Sequence, residues 1–171
     1  MKEYASILAA AALALAPGAC SRDADGALRD TKHVATAAVP IGECGHAVCA
    51  DNFFIDTSSP PGCAQGATCS VAFRLVATGD FHVNDQYPYR FAADGAKDLQ
   101  FFGADVGGKN VFSKAAGDWQ KSDAKSGAMT VKFAPKGSGQ KAVSGTFKLS
   151  VCSEANCLLE QRQVSAMVLV Q

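Results

Sequence analysis

Between Val143 and Val170 apolar and polar residues alternate twice, on either side of Val151-Cys152-Ser153-Glu154-Ala155-Asn156-Cys157. Going in, Phe147, Leu149 and Val151 alternate with Thr146, Lys148 and Ser150; coming out, Val164, Ala166, Val168 and Val170 repeat the pattern. A period of two marks a strand with one wet face. Two such strands joined by a short polar loop predict a β-hairpin with Cys152 and Cys157 opposed at its mouth. Directly opposed residues on antiparallel strands have Cα atoms about 4.5 to 5.5 Å apart, within the range a disulfide accepts. A cross-strand disulfide is therefore expected, and it serves either as a staple or as a reagent.

The rest of the chain reads the same way. Phe53 to Ile55 is a short apolar run, and Val71, Phe73, Leu75 and Ala77 alternate with smaller or polar residues. Phe81 to Phe91 is rich in aromatic residues, but Pro88 predicts an edge or a bend there, because proline cannot donate to a ladder. Residues 98–102 and 110–112 are weaker strands, Met129, Val131 and Phe133 alternate, and residues 135–140 form a turn cluster. Residues 113–126 read as a loop carrying an exposed Trp119. With 16 glycines and no long amphipathic helix pattern after the leader, seven to eight short strands point to an all-β, immunoglobulin-like antiparallel β-sandwich.

The first 16 residues hold a short polar start and a 12-residue apolar run, too short for a bilayer core of about 30 Å. Residues 1–19 are read as a secretory signal peptide. Two cleavage readings stand side by side: Ala14-Leu15-Ala16 as an ordinary site, and Pro17-Gly18-Ala19-Cys20, which resembles a bacterial lipoprotein box with Cys20 as the lipid attachment point. Residues 20–42, rich in Ala, Asp, Arg and Thr, read as a flexible tether with a reach of up to about 70 Å. Residues 43–171 are the expected sandwich domain. The expected location is the periplasmic face of a bacterial membrane, or, with plain cleavage, a soluble exported protein.

Seven cysteines are odd in number, and setting Cys20 aside leaves six in three close pairs: Cys44 with Cys49, Cys63 with Cys69, and Cys152 with Cys157. In an exported chain these predict disulfides. For Cys44, Cys49, Cys63 and Cys69, taken as structural, neighbour pairing and a crossing between the two pairs both remain open. Each short loop would contribute only about 2 kcal/mol, which leaves room for a chemical role. Cys44, His46 and Cys49 are a possible soft-ligand trio, but the spacing is not that of a zinc ribbon, and His33 and His82 are far away in sequence. No metal and no cofactor is expected. The formal net charge is zero, with no basic stripe to hold phosphates, so nucleic acid is excluded as a partner class.

The segment from Gly145 through Cys152 and Cys157 to Leu158 resembles the active-site hairpin of the N-terminal periplasmic domain of the DsbD family of thiol:disulfide interchange proteins. The stretch from Gly79 to Tyr89 is similar to an early strand of such domains. The likeness is good over residues 127–168 and loose over 71–112, and covers neither the leader nor the first two cysteine pairs. It implies an immunoglobulin-like sandwich in which Cys152 and Cys157 are the catalytic pair, passing electrons to a thioredoxin-like periplasmic partner or taking them from a separate membrane donor. In such domains an aromatic cap shields the pair. Candidates here are Phe101, Phe102, Phe112 and Trp119, while His82, Tyr87 and Tyr89 are candidates to flank the cysteines. The competing reading is a non-enzymatic envelope lipoprotein whose disulfides are structural and whose sandwich binds a protein or envelope ligand.

Overall fold

A computed structural model describes residues 45–171. The predicted leader (1–19), tether (20–42), Cys20, His33 and Cys44 all lie outside the described residues. The described chain forms twelve strands: β1 (Val48–Ala50), β2 (Phe53–Ser58), β3 (Cys69–Ala77), β4 (His82–Val83), β5 (Arg90–Ala93), β6 (Leu99–Phe101), β7 (Ala104–Val106), β8 (Lys109–Ser113), β9 (Trp119–Lys121), β10 (Ser126–Pro135), β11 (Gly139–Cys152) and β12 (Cys157–Val170). They build two antiparallel six-stranded sheets. One runs β1-β2-β3-β10-β6 with β9 also on β10, the other β12-β11-β5-β8-β7 with β4 also on β11.

The alternation of the sequence is what closes the sandwich. Val71, Phe73 and Leu75 of β3 and Met129, Val131 and Phe133 of β10 are fully buried, as are Val143, Phe147, Leu149 and Val151 of β11 on the other sheet. Rings meet across the interior: Phe73 stacks on Phe91 with centroids 4.9 Å apart, and Trp119 lies 5.9 Å from Phe147. Burying one such side chain contributes about 1.5–3 kcal/mol. A disulfide closing a six-residue loop contributes about 2 kcal/mol. The apolar core, not the sulfur bonds, therefore holds the sheets together.

The all-β, two-sheet antiparallel sandwich matches the expectation; the strand count does not. Twelve replace seven or eight, because β1, β4, β7 and β9 have only two or three residues each and show no period to read. Pro88 falls between β4 and β5, where a bend was expected. Residues 113–126, read as a loop, contain β9. Trp119 is not exposed either: only 6% of its surface is accessible. It pairs with Met129 across the ladder and occupies the space left by Gly127, where an added Cβ would come within 2.4 Å of the indole. The polar neighbours of Trp119 suggested exposure, but the glycine on the adjoining strand makes room for the ring.

Candidate functional site

β11 and β12 are paired over fourteen residues, from Gly139 opposite Val170 to Cys152 opposite Cys157. That register puts the two cysteines where the hairpin turns. They are joined by a disulfide with Cα atoms 4.0 Å apart. The four-residue turn is closed by its own hydrogen bonds. The Ser153 amide donates to the Asn156 carbonyl at 2.8 Å. The Ser153 hydroxyl accepts from the amides of Ala155 and Asn156, each at 3.2 Å, and donates to the Asn156 side-chain oxygen at 3.0 Å. Antiparallel pairs alternate between bonded and non-bonded rungs, and the non-bonded rungs are closer. With Ser153 and Asn156 bonded, the cysteine rung is the close kind.

The two sulfur-bearing residues differ in access. Cys152 is buried, at 5% exposure, and Cys157 is exposed. The cause lies in the strands on either side. Cys157 opens β12, the outer strand of its sheet. Cys152 ends β11, which has β12 on one side and β4 on the other, with His82 directly opposite Cys152 and Val83 opposite Val151. Side chains of directly opposed residues project from the same face, so Cys157, Cys152 and His82 form one row across three strands. Of the residues expected to flank the cysteines, His82 is the one placed in their row.

β4 has two residues and cannot hold itself in place. The Lys125 ammonium donates to the carbonyls of Gly79 at 2.7 Å and Phe81 at 2.6 Å, and the Val83 amide donates to the Ala124 carbonyl at 2.9 Å. Asp123 in turn accepts from the amides of Lys125 and Ser126 and from the Ser126 hydroxyl. Those bonds, the Ser126 hydroxyl first, hold the Asp123 carboxyl below the usual aspartate range. Asp80, Lys125, Ser153, Glu154 and Ala155 line a shallow cleft beside the cysteine turn. Lys125 and Asp123 escaped the sequence reading, because a lysine tying down a two-residue strand leaves no periodic signal.

The remaining candidates are core or near-core residues. Tyr89 is fully buried, stacks on Trp119 with centroids 4.0 Å apart, and donates its hydroxyl to the Ser150 carbonyl at 2.7 Å. Burial pushes its phenol well above the usual tyrosine range. Tyr87 packs edge-on against Tyr89 at 5.2 Å and is half-buried. Phe101 and Phe112 belong to the core, and Phe102 is 46% exposed at the end of β6. Cys63 is bonded to Cys69 with Cα atoms 5.6 Å apart, which selects neighbour pairing over the crossing for these two. Cys49 is also disulfide-bonded. The His46 Nδ1 is 2.5 Å from an Asp56 oxygen, and its ring stacks on Phe54 at 3.9 Å. Among the described residues no three His, Cys, Asp or Glu side chains converge on a metal position.

No family model matches the chain, and no curated protein does. Among solved structures, the chain is similar to the major subunit of the aggregative adherence fimbriae type I from Escherichia coli at 10% identity and a TM-score of 0.33, over 72% of this chain and 98% of that one. At that score the likeness carries neither fold nor function to this chain.

Proposed function

We propose that this disulfide-bearing sandwich is a thiol:disulfide exchange domain of the DsbD N-terminal kind, working through Cys152 and Cys157. The observation that carries the reading is the asymmetric cross-strand pair: one sulfur-bearing residue open to a visitor, the other buried beside it on a hairpin locked by fourteen rungs. An incoming thiolate attacks the Cys157 sulfur and forms a mixed disulfide. The Cys152–Cys157 bond breaks, and its electron pair leaves on the Cys152 sulfur, which takes up a proton. A second thiol on the partner then attacks the mixed disulfide and releases the Cys157 thiolate. The sandwich is then reduced to its dithiol and the partner oxidised to its disulfide. The reverse sequence hands the electrons on. His82, directly opposite Cys152 on β4, lies on the side of the leaving sulfur.

The partner in this reading is a thioredoxin-like periplasmic protein or a membrane electron donor, and Cys20 carries the lipid that keeps the domain at the membrane. Replacing Cys152 with Ala leaves Cys157 unable to be resolved from within. Offered a thioredoxin-like protein that keeps one active cysteine, activated as its mixed disulfide with thionitrobenzoate, the Cys157 thiolate of that variant attacks the partner sulfur and displaces thionitrobenzoate. The product is a protein–protein mixed disulfide, seen as a mass adduct that reductant removes, whereas Cys157→Ala accumulates far less. Equal trapping by both variants, or none by either, contradicts the assignment. Palmitate labelling that disappears in Cys20→Ala tests the anchor separately.

A second reading rests on the Cys63–Cys69 bond, which ties a buried Cys63, bridged to Val170 at the end of β12, to the first residue of β3 and has the character of a staple. If Cys152–Cys157 is of the same kind, the domain is a passive envelope sandwich that binds a protein or envelope ligand. The trapping experiment separates the two.

A further inference from the structure

The face that carries the cysteine row carries a second feature two rows away. Lys148 of β11 stands directly opposite Arg90 of β5. Like charges directly opposed on neighbouring strands repel and destabilise the sheet. Several other cations have partners, although Lys97, Lys109, Lys132 and Lys136 are exposed without an acidic partner among the described residues. Lys121 pairs with Asp85, Lys141 with Asp98 and Arg162 with Glu160, while Lys114 and Lys125 donate to backbone carbonyls. Among the described residues neither Arg90 nor Lys148 has an acidic partner, and both are exposed. The acid further along the same strand face, Asp94, is taken by the Gln163 amide at 2.5 Å. Arg90 and Lys148 flank a shallow trough floored by Ala92, Val111 and Thr146. Two converging cations over a partly apolar floor have the chemistry to receive a carboxylate on a short aliphatic stem.

The position of the trough matters as much as its charge. Lys148 and Cys152 are four residues apart on one strand face, about 14 Å at strand rise. Between them, on β12, Leu159 is 68% exposed and opposes Ser150. Reactive sulfur, apolar contact and cation pair thus follow one another down one face. Resting on the exchange reading above, we propose that Arg90 and Lys148 dock the thiol-bearing partner by binding acidic side chains about 14 Å from its reactive cysteine. The partner is a protein with a glutamate or aspartate pair about 14 Å from its thiol, and charge complementarity sets its register over Cys157.

Synthetic peptides test this on the full chain. One carries a cysteine and, four residues away, two glutamates; a second has glutamines in place of the glutamates; a third keeps the glutamates and replaces the cysteine with serine. The glutamate peptide forms the mixed disulfide about tenfold faster than the glutamine peptide at low ionic strength. The advantage disappears in the R90Q/K148Q double variant and in about 0.5 M salt. Equal rates for the two cysteine peptides overturn the docking surface and leave exchange standing. If neither exchanges but the serine peptide shifts the side-chain NMR signals of Arg90 and Lys148, and does not bind the double variant, docking stands and exchange falls. Absence of both exchange and shifts removes both.

Discussion

At the level of single residues, the interior is set by glycines and one phenol as much as by large side chains. A Cβ at Gly127 would sit 2.4 Å from the Trp119 ring, and one at Gly145 would sit 2.4 Å from both the Ala92 carbonyl and the Phe91 ring. Gly127→Ala and Gly145→Ala should each lower stability by about 1–3 kcal/mol in urea melts, because the neighbours have no room to retreat. Gly127→Ala should also shift Trp119 fluorescence, as the indole is levered out of its slot. Tyr89→Phe should cost only about 1 kcal/mol, since the Ser150 carbonyl keeps the Asn84 amide as a second donor at 3.3 Å. Tyr89→Ala should cost about 3–5 kcal/mol through the lost packing on Trp119. This level was the least legible in the sequence. The polar chain neighbours of Trp119 predict exposure, whereas its environment is set by Gly127 on another strand. The sequence offers Tyr89 as a candidate to flank the cysteines; the structure buries it and directs its hydroxyl to the Ser150 carbonyl, two residues before Cys152.

Among the elements, the long strands were legible and the short ones were not. The period of two over residues 143–170 gave the hairpin and the cysteine register, because a one-residue slip would turn every apolar side chain of β11 outward. β3 and β10 were legible for the same reason. Strands of two or three residues carry no period, so β4, and with it the placement of His82 beside Cys152, had to come from the fold. The hairpin's stability follows from its length. Reducing Cys152–Cys157, or replacing both cysteines with Ala, should cost about 2 kcal/mol while β11 and β12 stay paired, as amide hydrogen exchange would report. Loss of protection along the whole of β12 on reduction would show that the sulfur bond, and not the buried face of the hairpin, maintains the pairing. Lys125→Ala should release residues 79–83 and raise exchange at the Val83 amide, leaving β10 protected.

Considered as one molecule, the charges make stability depend on acid. Asp98 is held below the usual aspartate range chiefly by its hydrogen bond to Lys141, Asp85 chiefly by its bond to Lys121, and Asp123 chiefly by Ser126. A carboxyl whose folded pKa lies below its unfolded value of about 4 stabilises the fold above that pH. The contribution is lost as pH falls through the folded value. The urea midpoint should therefore hold steady near neutrality and fall below about pH 4. In Lys141→Ala the acid-dependent part of that fall should be smaller. The fold class was legible at this scale from the alternation and the glycine content, whereas the difference in access between the two sulfurs was not, because it depends on which strand of the hairpin lies at the sheet's edge.

The most direct measurement is the redox poise of the Cys152–Cys157 pair, read by titrating the purified chain against glutathione buffers, trapping free thiols with a mass label and quantifying each cysteine pair by peptide mass. An exchange domain has this pair opening between about −120 and −270 mV, the range of thiol oxidoreductases, while Cys63–Cys69 stays closed. A value below about −300 mV for Cys152–Cys157, the range of inert structural disulfides, would contradict the exchange role and leave a stapled sandwich.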